Sequence, residues 1–299
     1  MGGHRKFQLW HKHDPDWQRV SVPTEIRELG NGLLLSRSLL RAPTPELGGF
    51  RILYFSDLHW HGETRRLRAE TLVETVNELQ TDWVLFGGDL IRHLVDLKPA
   101  LAILARLKAR VGKFAVLGNR ESIHDWKPPS FWPDAYASAG FRLLVNDTVP
   151  ASPNGHLRLV GLDDVRHGHP DKGLVERSTA VRGDDPARAG GPVLTLVHSP
   201  DGVAGESWPA GNLVLAGHTH GGQFRLPLFG AVYTSSVFGR QFDRGWFERA
   251  DGTRMLVSAG VGESGSKHLR FRINCPAEMH LLDFARVPET AHATIHPAG

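Results

Sequence analysis

A chain of 299 residues with 40% hydrophobic and 22% charged residues can bury a sizeable core, and its 33 glycines and 19 prolines favour many turns over long helices. The 35 Lys and Arg against 32 Asp and Glu leave a net charge of +3, with no block of like charge that would make a nucleic-acid-binding tail. A single cysteine, Cys275, excludes an internal disulfide framework and CxxC zinc sites. No apolar run approaches membrane-spanning length and no N-terminal stretch has the layout of a secretory signal, so a cytoplasmic protein with at most peripheral membrane contact is expected.

Residues 1–50 read as an N-terminal extension carrying Phe7, Trp10 and Trp17 and ending in the turn-rich RAPTPELGG. Inside it, LLLSRSLL (Leu33 to Leu40) reads as a buried helix face, with a membrane-surface contact as the alternative. A catalytic domain is expected over 51–287, followed by a polar tail, 288–299. RILYFS from Arg51 predicts a strand. Residues 65–80, with Leu67, Leu72, Val76 and Leu79 at helical spacing, predict a helix. TDWVLFGGD predicts a second strand, residues 98–110 a second helix, and VGKFAVLGN a third strand. This alternation implies parallel pairing with crossover helices. After residue 140 the pattern changes to short apolar runs between Gly, Pro, Asn and Asp turns: FRLLVNDTV, HLRLVGLDD, PVLTLVHSP, NLVLAGHTH, TRMLVSAGV and MHLLDFA. These predict hairpins or a sandwich, with residues 163–192 as a long polar loop.

Polar clusters sit just beyond five of these runs. Asp57-Leu58-His59 follows RILYFS, Gly87-Gly88-Asp89 follows DWVLF, and Gly118-Asn119 follows KFAVL. His198 follows PVLTLV, and Gly217-His218-Thr219-His220 follows NLVLA. In layered sheet folds, sites gather where strand ends and loops converge. Carboxylate, amide and imidazole make a borderline-hard donor set that suits Mn²⁺, Zn²⁺ or Fe²⁺ better than Ca²⁺. In Asp57-x-His59 and His218-x-His220 the paired side chains would share one side of an extended segment. Flanking glycines would let the backbone turn sharply and leave room for substrate. Singly, each cluster is an ordinary polar turn; their joint position after successive strands is what points to one metal site.

These motifs resemble the calcineurin-like metallophosphoesterase superfamily, whose pattern runs D-x-H, G-D, G-N-H-[D/E], H, G-H-x-H. The match spans Asp57 to His220, with similarity continuing to about residue 286. The resemblance implies an α/β fold: a four-layer α+β sandwich of two mixed β-sheets flanked by helices. It also implies two divalent metal ions, Mn²⁺ first, with Zn²⁺, Fe²⁺ or Mg²⁺ as alternatives. One would be held by Asp57, His59, Asp89 and His220, the other by Asp89, Asn119, His198 and His218, with Asp89 bridging and a metal-bridging hydroxide attacking phosphorus. The segments GHTHGGQFRLP, RMLVSAGVGES and LRFRINCPAEMHLLDF look like a bacterial branch containing membrane-associated phosphodiesterases and UDP-2,3-diacylglucosamine hydrolases of lipid A synthesis.

The chain departs from the pattern at Gly118-Asn119-Arg120-Glu121, where the family has His after Gly-Asn. Arg cannot donate a proton at any reachable pH, but its planar fork suits a phosphate. A phosphate leaving group needs no proton and an alkoxide does, so Arg120 favours P–O–P substrates. The catalytic candidates are therefore Asp89, Asn119 and Arg120, and the substrate-contact candidates Arg120, Arg166, His167 and His124. Glu121 would orient a ligand or pair with Arg120. His61, His93 and His124 lie near ligand loops, Arg166, His167 and His169 in the polar loop would contact phosphate or uridine, Asp163-Asp164 would bond neighbouring groups or make a turn, and Trp126, Pro128, Phe131 and Trp132 would line an acyl groove or close a core. The expected function is hydrolysis of a phosphoanhydride or phosphodiester in a phosphate-containing small molecule or lipid, with a lipid-linked UDP sugar favoured. The alternatives are a broad phosphodiesterase or phosphatase, and a non-catalytic metal-binding scaffold. No nucleic-acid partner is expected.

Overall fold

The computed structural model describes residues 11–61, 66–124, 127–128, 130–150, 157–179, 192–205, 210–265 and 271–286. Phe7, Trp10, Trp126 and the expected tail 288–299 lie outside them. Three strands, β1 (Trp17–Val20), β2 (Thr24–Gly30) and β3 (Leu33–Arg41), precede the first predicted one, β4 (Arg51–Phe55). The alternation that follows matches the expected order: α1 (Arg66–Leu79), β5 (Trp83–Phe86), α2 (Leu97–Ala105) and β6 (Gly112–Ala115). Next come α3 (Asn119–Ser122), α4 (Phe131–Ser138), β7 (Arg142–Leu143), β8 (Asp147–Pro150), β9 (Arg158–Gly161) and α5 (Gly173–Thr179). The chain continues through β10 (Val193–Leu196), β11 (Leu213–Ala216), β12 (Arg225–Leu226), β13 (Gly230–Ala231), β14 (Gly245–Arg249), β15 (Arg254–Val257) and β16 (Ala277–Ala285).

Two seven-stranded mixed sheets result, in the orders β2-β3-β16-β4-β5-β6-β7 and β1-β14-β15-β11-β10-β9-β8. Strand alternation explains their stacking. On β4, Ile52 and Tyr54 face the other sheet, while Leu53 and Phe55 face the helices. β5 repeats this with Trp83 and Leu85 against Val84 and Phe86. From the second sheet, Leu194, Leu196, Leu215 and Leu256 fill the inter-sheet core, while Val193, Val214, Met255 and Val257 point to the outer layer with Val175 of α5. Helices α1, α2 and α4 cover the first sheet through Leu72, Val76, Leu104 and Tyr136. The result is the expected α/β architecture, two multi-stranded mixed sheets flanked by helices. Among the described residues no helix is long and apolar enough to cross a membrane.

Three expectations need correction. LLLSRSLL is not a helix face but strand β3, paired with β2 on one side and β16 on the other. From Ser36 its burial alternates with period two, Ser36, Ser38 and Leu40 inward and Arg37, Leu39 and Arg41 outward. Residues 17–41, read as part of an extension, thus supply strands to both sheets. The short strands after residue 140 are not mainly hairpins: β9, β10, β11 and β15 are mutually parallel, and only β8 and β14 join them antiparallel. Their near-continuous apolar runs reflect burial on both faces, as parallel strands require. The polar stretch 163–192 is not loop throughout, because α5 lies within it and packs on β9 and β10.

The central strand β16 gives a test of this packing. Leu282 is fully buried between the sheets and Leu39 is half exposed. Leu282→Ala is expected to cost roughly 2–5 kcal/mol and Leu39→Ala about 0.5 kcal/mol or less in urea denaturation; equal costs would contradict the assigned facing of β3 and β16.

Candidate metal centre

The carboxyl ends of β4, β5 and β6 meet those of β10 and β11 at one edge of the two sheets. Beyond β4 and β5 the chains still run in register: Asp57 N–H donates to Gly88 O at 2.9 Å and His59 N–H to Asp89 O at 2.9 Å. The D-x-H and H-x-H segments are not extended, as the sequence pattern had implied. Asp57, His59, Asp89, His218 and His220 all hold positive φ, between 43° and 70°. The left-handed conformation is uncommon for residues other than glycine, and here it concentrates at the groups that converge. Close approach explains the neighbouring glycines at two positions. A Cβ on Gly118 would lie 2.2 Å from Asp89 Oδ1, and one on Gly217 would lie 2.3 Å from Ser56 Oγ.

The side chains form two adjoining clusters. In the first, His59 Nε2 and His220 Nε2 are 3.0 Å apart. Asp57 Oδ1 lies 3.7 Å from His59 Nε2 and 3.5 Å from His220 Nε2, and Asp89 Oδ2 lies 3.4 Å from His59 Nε2. In the second, His198 Nε2 is 3.1 Å from His218 Nδ1, 3.2 Å from Asn119 Oδ1 and 3.6 Å from Asp89 Oδ1. Asp89 thus offers one carboxylate oxygen to each cluster. Donor atoms about 2.0–2.2 Å from one cation lie roughly 3.0–3.5 Å from each other, which is the spacing seen. Asp57 Oδ1 is buried without a hydrogen-bond partner among the described residues, and the two facing Nε2 atoms repel unless something positive lies between them. This donor set fits two divalent cations.

Electrostatics lead to the same conclusion. Burial raises the Asp57 carboxyl, and burial with neighbouring Glu121 pushes Asp89 up to about 8 despite His198. His198 is pulled down by burial, but the Asp89 and Asp57 carboxylates outweigh that and lift it to about 9. His218 falls well below the usual imidazole range through burial and the charge of His198. Without cations, protons hold this cluster of charges together.

Three supporting groups fix the geometry. Glu121 does not pair with Arg120; its buried carboxylate accepts from the N–H groups of Gly118 (2.9 Å), Asp89 (3.0 Å) and Leu90 (2.8 Å), locking two metal loops together. Ser56 Oγ donates to Asp57 Oδ2 at 2.6 Å, and His218 N–H donates to the same oxygen at 3.0 Å. Arg272, which sequence reasoning missed, is half-buried and spends its guanidinium on main-chain carbonyls beside the site. It donates to Ala259 O (2.7 Å), Gly260 O (3.0 Å), Gly262 O (3.2 Å) and His220 O (3.3 Å). The loop it holds is the one whose Val261 and Gly262 N–H groups bond Ser56 O and Asp57 O. A lone Arg between Phe271 and Ile273 was the only signal available.

Beside the clusters opens a cavity of about 370 Å³, whose wall includes Asp89, Asn119, Arg120, Arg166, His167 and His218. Arg120 N–H donates to Asp89 Oδ1 at 2.8 Å, and its guanidinium has no partner among the described residues. Arg166 is steadied by donating to Ser235 O. His124 lies elsewhere, with its ring 6.2 Å from that of Trp132, and Phe131 and Trp132 pack together into the helical layer. His61 and His93 face one another, with Asp96 Oδ2 3.6 Å from His61 Nδ1. Asp163 and Asp164 take the turn role, accepting from the N–H groups of His169 (2.9 Å) and His167 (2.8 Å) respectively.

Two measurements follow from this geometry. Burial and carboxylate crowding favour bound protons on the Asp89–His198 pair in the absence of metal, so loading should release protons, and apparent metal affinity should rise with pH. Calorimetry in buffers of different ionisation enthalpy reads this directly, and a pH-independent affinity with no proton release would contradict it. Arg272→Met is expected to cost on the order of 2–4 kcal/mol and to weaken metal binding, since buried carbonyls lose a charged donor. Unchanged stability would show that water replaces the guanidinium at no cost.

Residues 50–222 match the family Calcineurin-like phosphoesterase. An uncharacterized metallophosphoesterase of Aquifex aeolicus is 31% identical over 72% of this chain and 78% of its own length. YkuE of Bacillus subtilis, also an uncharacterized metallophosphoesterase, is 28% identical over 72% of each chain. Phosphodiesterase YaeI of Escherichia coli is 29% identical over 78% of this chain and 82% of its own. With two metal-ligand clusters at the shared edge of two mixed sheets, and a family match covering more than half its length, the chain belongs to the calcineurin-like phosphoesterases, a family of metal-dependent phosphoric ester hydrolases.

Proposed function

We propose that this site cleaves a phosphoanhydride, with a lipid-linked UDP sugar of the UDP-2,3-diacylglucosamine kind as the favoured substrate and Mn²⁺ as the metal. Asp57, His59, Asp89 and His220 would hold one cation, and Asp89, Asn119, His198 and His218 the other. When bound, two such cations supply Lewis acidity towards a phosphoryl oxygen and the attacking water. The chain's own residues do the rest. Glu121, Ser56 and Arg272 hold the loops, so the donor atoms need little rearrangement during reaction.

The observation that carries the reading is Arg120. Its guanidinium is unpartnered among the described residues and lines the same cavity as Arg166 and His167. Its main-chain N–H is tied to Asp89, so the side chain starts beside the shared carboxylate. From there it can donate two hydrogen bonds to a departing phosphate and stabilise its growing charge. Arg166, tethered to Ser235, would bind a further phosphoryl oxygen. Nothing in this arrangement offers a proton from residue 120, so a leaving alkoxide is poorly served and a leaving phosphate is well served. A phosphodiesterase is the second reading, favoured by the similarity to YaeI, which bears that name.

The discriminating experiment measures kcat/KM for wild type, Arg120→Ala and Arg120→His on a UDP-linked pyrophosphate and on an alkyl phosphodiester. Arg120→Ala should lose on the order of 2–4 kcal/mol of transition-state stabilisation on the pyrophosphate, mostly in kcat. Arg120→His should shift selectivity towards the diester. An unchanged substrate ratio in all three proteins defeats the leaving-group argument and leaves the phosphodiesterase reading.

A further inference from the structure

The metal loop at His220 runs directly into a small hairpin, β12 and β13, paired Arg225 to Ala231 and Leu226 to Gly230. Its tip is Pro227-Leu228-Phe229. Leu228 is fully exposed, at 104%, and Phe229 is 74% exposed. Leu228 also holds a φ of 68°, a conformation leucine rarely adopts, and the strain keeps the tip sharp. Around the tip, Leu226, Val232 and Tyr233 are exposed, and on the flanking strand-like segment so are Phe271 and Ile273. That segment joins the hairpin through the Phe224–Ile273 bridge, with the Phe224 and Phe271 rings 5.0 Å apart. Apolar residues scattered over a surface need no explanation, but a contiguous projecting group does.

Three features decide what it meets. The first is main-chain satisfaction. Phe229 N–H donates to Pro227 O (2.9 Å), Arg225 N–H to Ile273 O (3.0 Å), Val232 N–H to Phe224 O (2.9 Å) and Asn274 Nδ2 to Arg225 O (3.1 Å). Pro227 has no N–H to satisfy. An apolar solvent tolerates backbone only when its polar groups are internally bonded in this way. The second is charge. Residues 221–242 and 271–277, which build this face, contain Arg225, Arg240 and Arg272 and no Asp or Glu. Arg225 is neutralised by buried Asp243 and half-buried Arg272 is spent on main-chain carbonyls, which leaves exposed Arg240, bonded to Phe229 O at 3.3 Å, at the base of the tip. The third is position. Tyr233, 62% exposed, and Ser235 belong to this face and also line the metal-site cavity with Arg120 and Arg166.

We infer that the hairpin 225–231 is a membrane-docking device. Leu228 and Phe229 enter the apolar boundary of a lipid surface with anionic headgroups, Arg240 and Tyr233 stay at the headgroup level, and the mouth of the metal cavity is held at the interface. A convex, narrow tip whose backbone is bonded at Arg225, Phe229 and Val232 suits insertion between lipids, whereas a protein partner of ordinary size needs a broad complementary face. The inference does not depend on which phosphorus bond the site cleaves.

The test uses the full chain and co-sedimentation with vesicles of phosphatidylcholine, with and without phosphatidylglycerol. Wild type should partition onto the anionic vesicles at least about tenfold more strongly than Leu228→Ser/Phe229→Ser, which loses two inserted side chains. Arg240→Glu should erase the preference for anionic over neutral vesicles. Both variants should keep the wild-type thermal unfolding midpoint, since the altered side chains are at the surface. The inference is overturned if wild type stays in the supernatant or if the double variant partitions equally. It is likewise overturned if wild type forms a concentration-dependent dimer that the double variant abolishes, which would give the face to a second copy of the chain.

Discussion

Two carboxylates and four imidazoles are packed, mostly buried, with donor atoms 3.0–3.7 Å apart where only a cation or a proton can reconcile them. Much of the surrounding structure serves that crowding. With Asn119, seven donors are brought in from five strand ends in two different sheets, and no single element could present them. The backbone reaches the required directions by adopting left-handed conformations at five of the donor residues. Such strain persists only where neighbouring structure holds it, and here the holding groups are identifiable. Glu121 clamps the Asp89 and Asn119 loops, and Arg272 clamps the loop that closes over Asp57. A buried acidic side chain and a half-buried cation, each spent on main-chain groups, thus hold the site's shape.

The donor residues were legible because each follows an apolar run, and ends of parallel strands are where side chains are free to meet. The fold class was legible for a related reason: strand and helix alternate cleanly from residue 51 to residue 115. Reading failed where the signal was non-local. Arg272 looks like any surface arginine until the carbonyls of Ala259, Gly260 and His220 are brought around it. β3 was misread although its turn was in plain view: Gly30-Asn31-Gly32 joins β2 to β3, and Asn31 and Gly32 both have positive φ, as a two-residue hairpin turn requires. The apolar content of LLLSRSLL masked the alternation of its second half. The later strands read as hairpins or a sandwich because their connections are rich in turn residues; the stacked sheets agree with the second, and burial on both faces, visible in VLTL and LVLA, is the signal that tells parallel strands from hairpins.

Arg120 and Arg166 illustrate how cavity and scaffold divide the work. Arg166 is fixed by Ser235, within the segment that also carries Tyr233, and Arg120 is fixed at its main chain by Asp89. One cation is therefore positioned from the loop after β13 and the other from the metal cluster itself. On the proposed reading a ligand bridging them would sense both, which would couple the apolar face outside the cavity to the donors inside it through a few residues of chain.

Strand β16 occupies the middle of its sheet, between β3 and β4, although it is the last strand in the described sequence. Arg37 reaches Asp283 across 246 residues of chain. Until β16 arrives, β3 and β4 have no shared neighbour, and the sheet that carries Asp57, Asp89 and Asn119 is split. Loop-closure entropy on that scale must be overcome before the pairing returns any energy, which slows folding. During synthesis, the amino-terminal half emerges from the ribosome long before the strand that unites it. The split sheet leaves β4 with an open edge throughout that interval, a window for chaperone capture or misassembly. The donors reach their final geometry only after β16 has joined the sheet, so completion of the centre belongs to the late steps of folding.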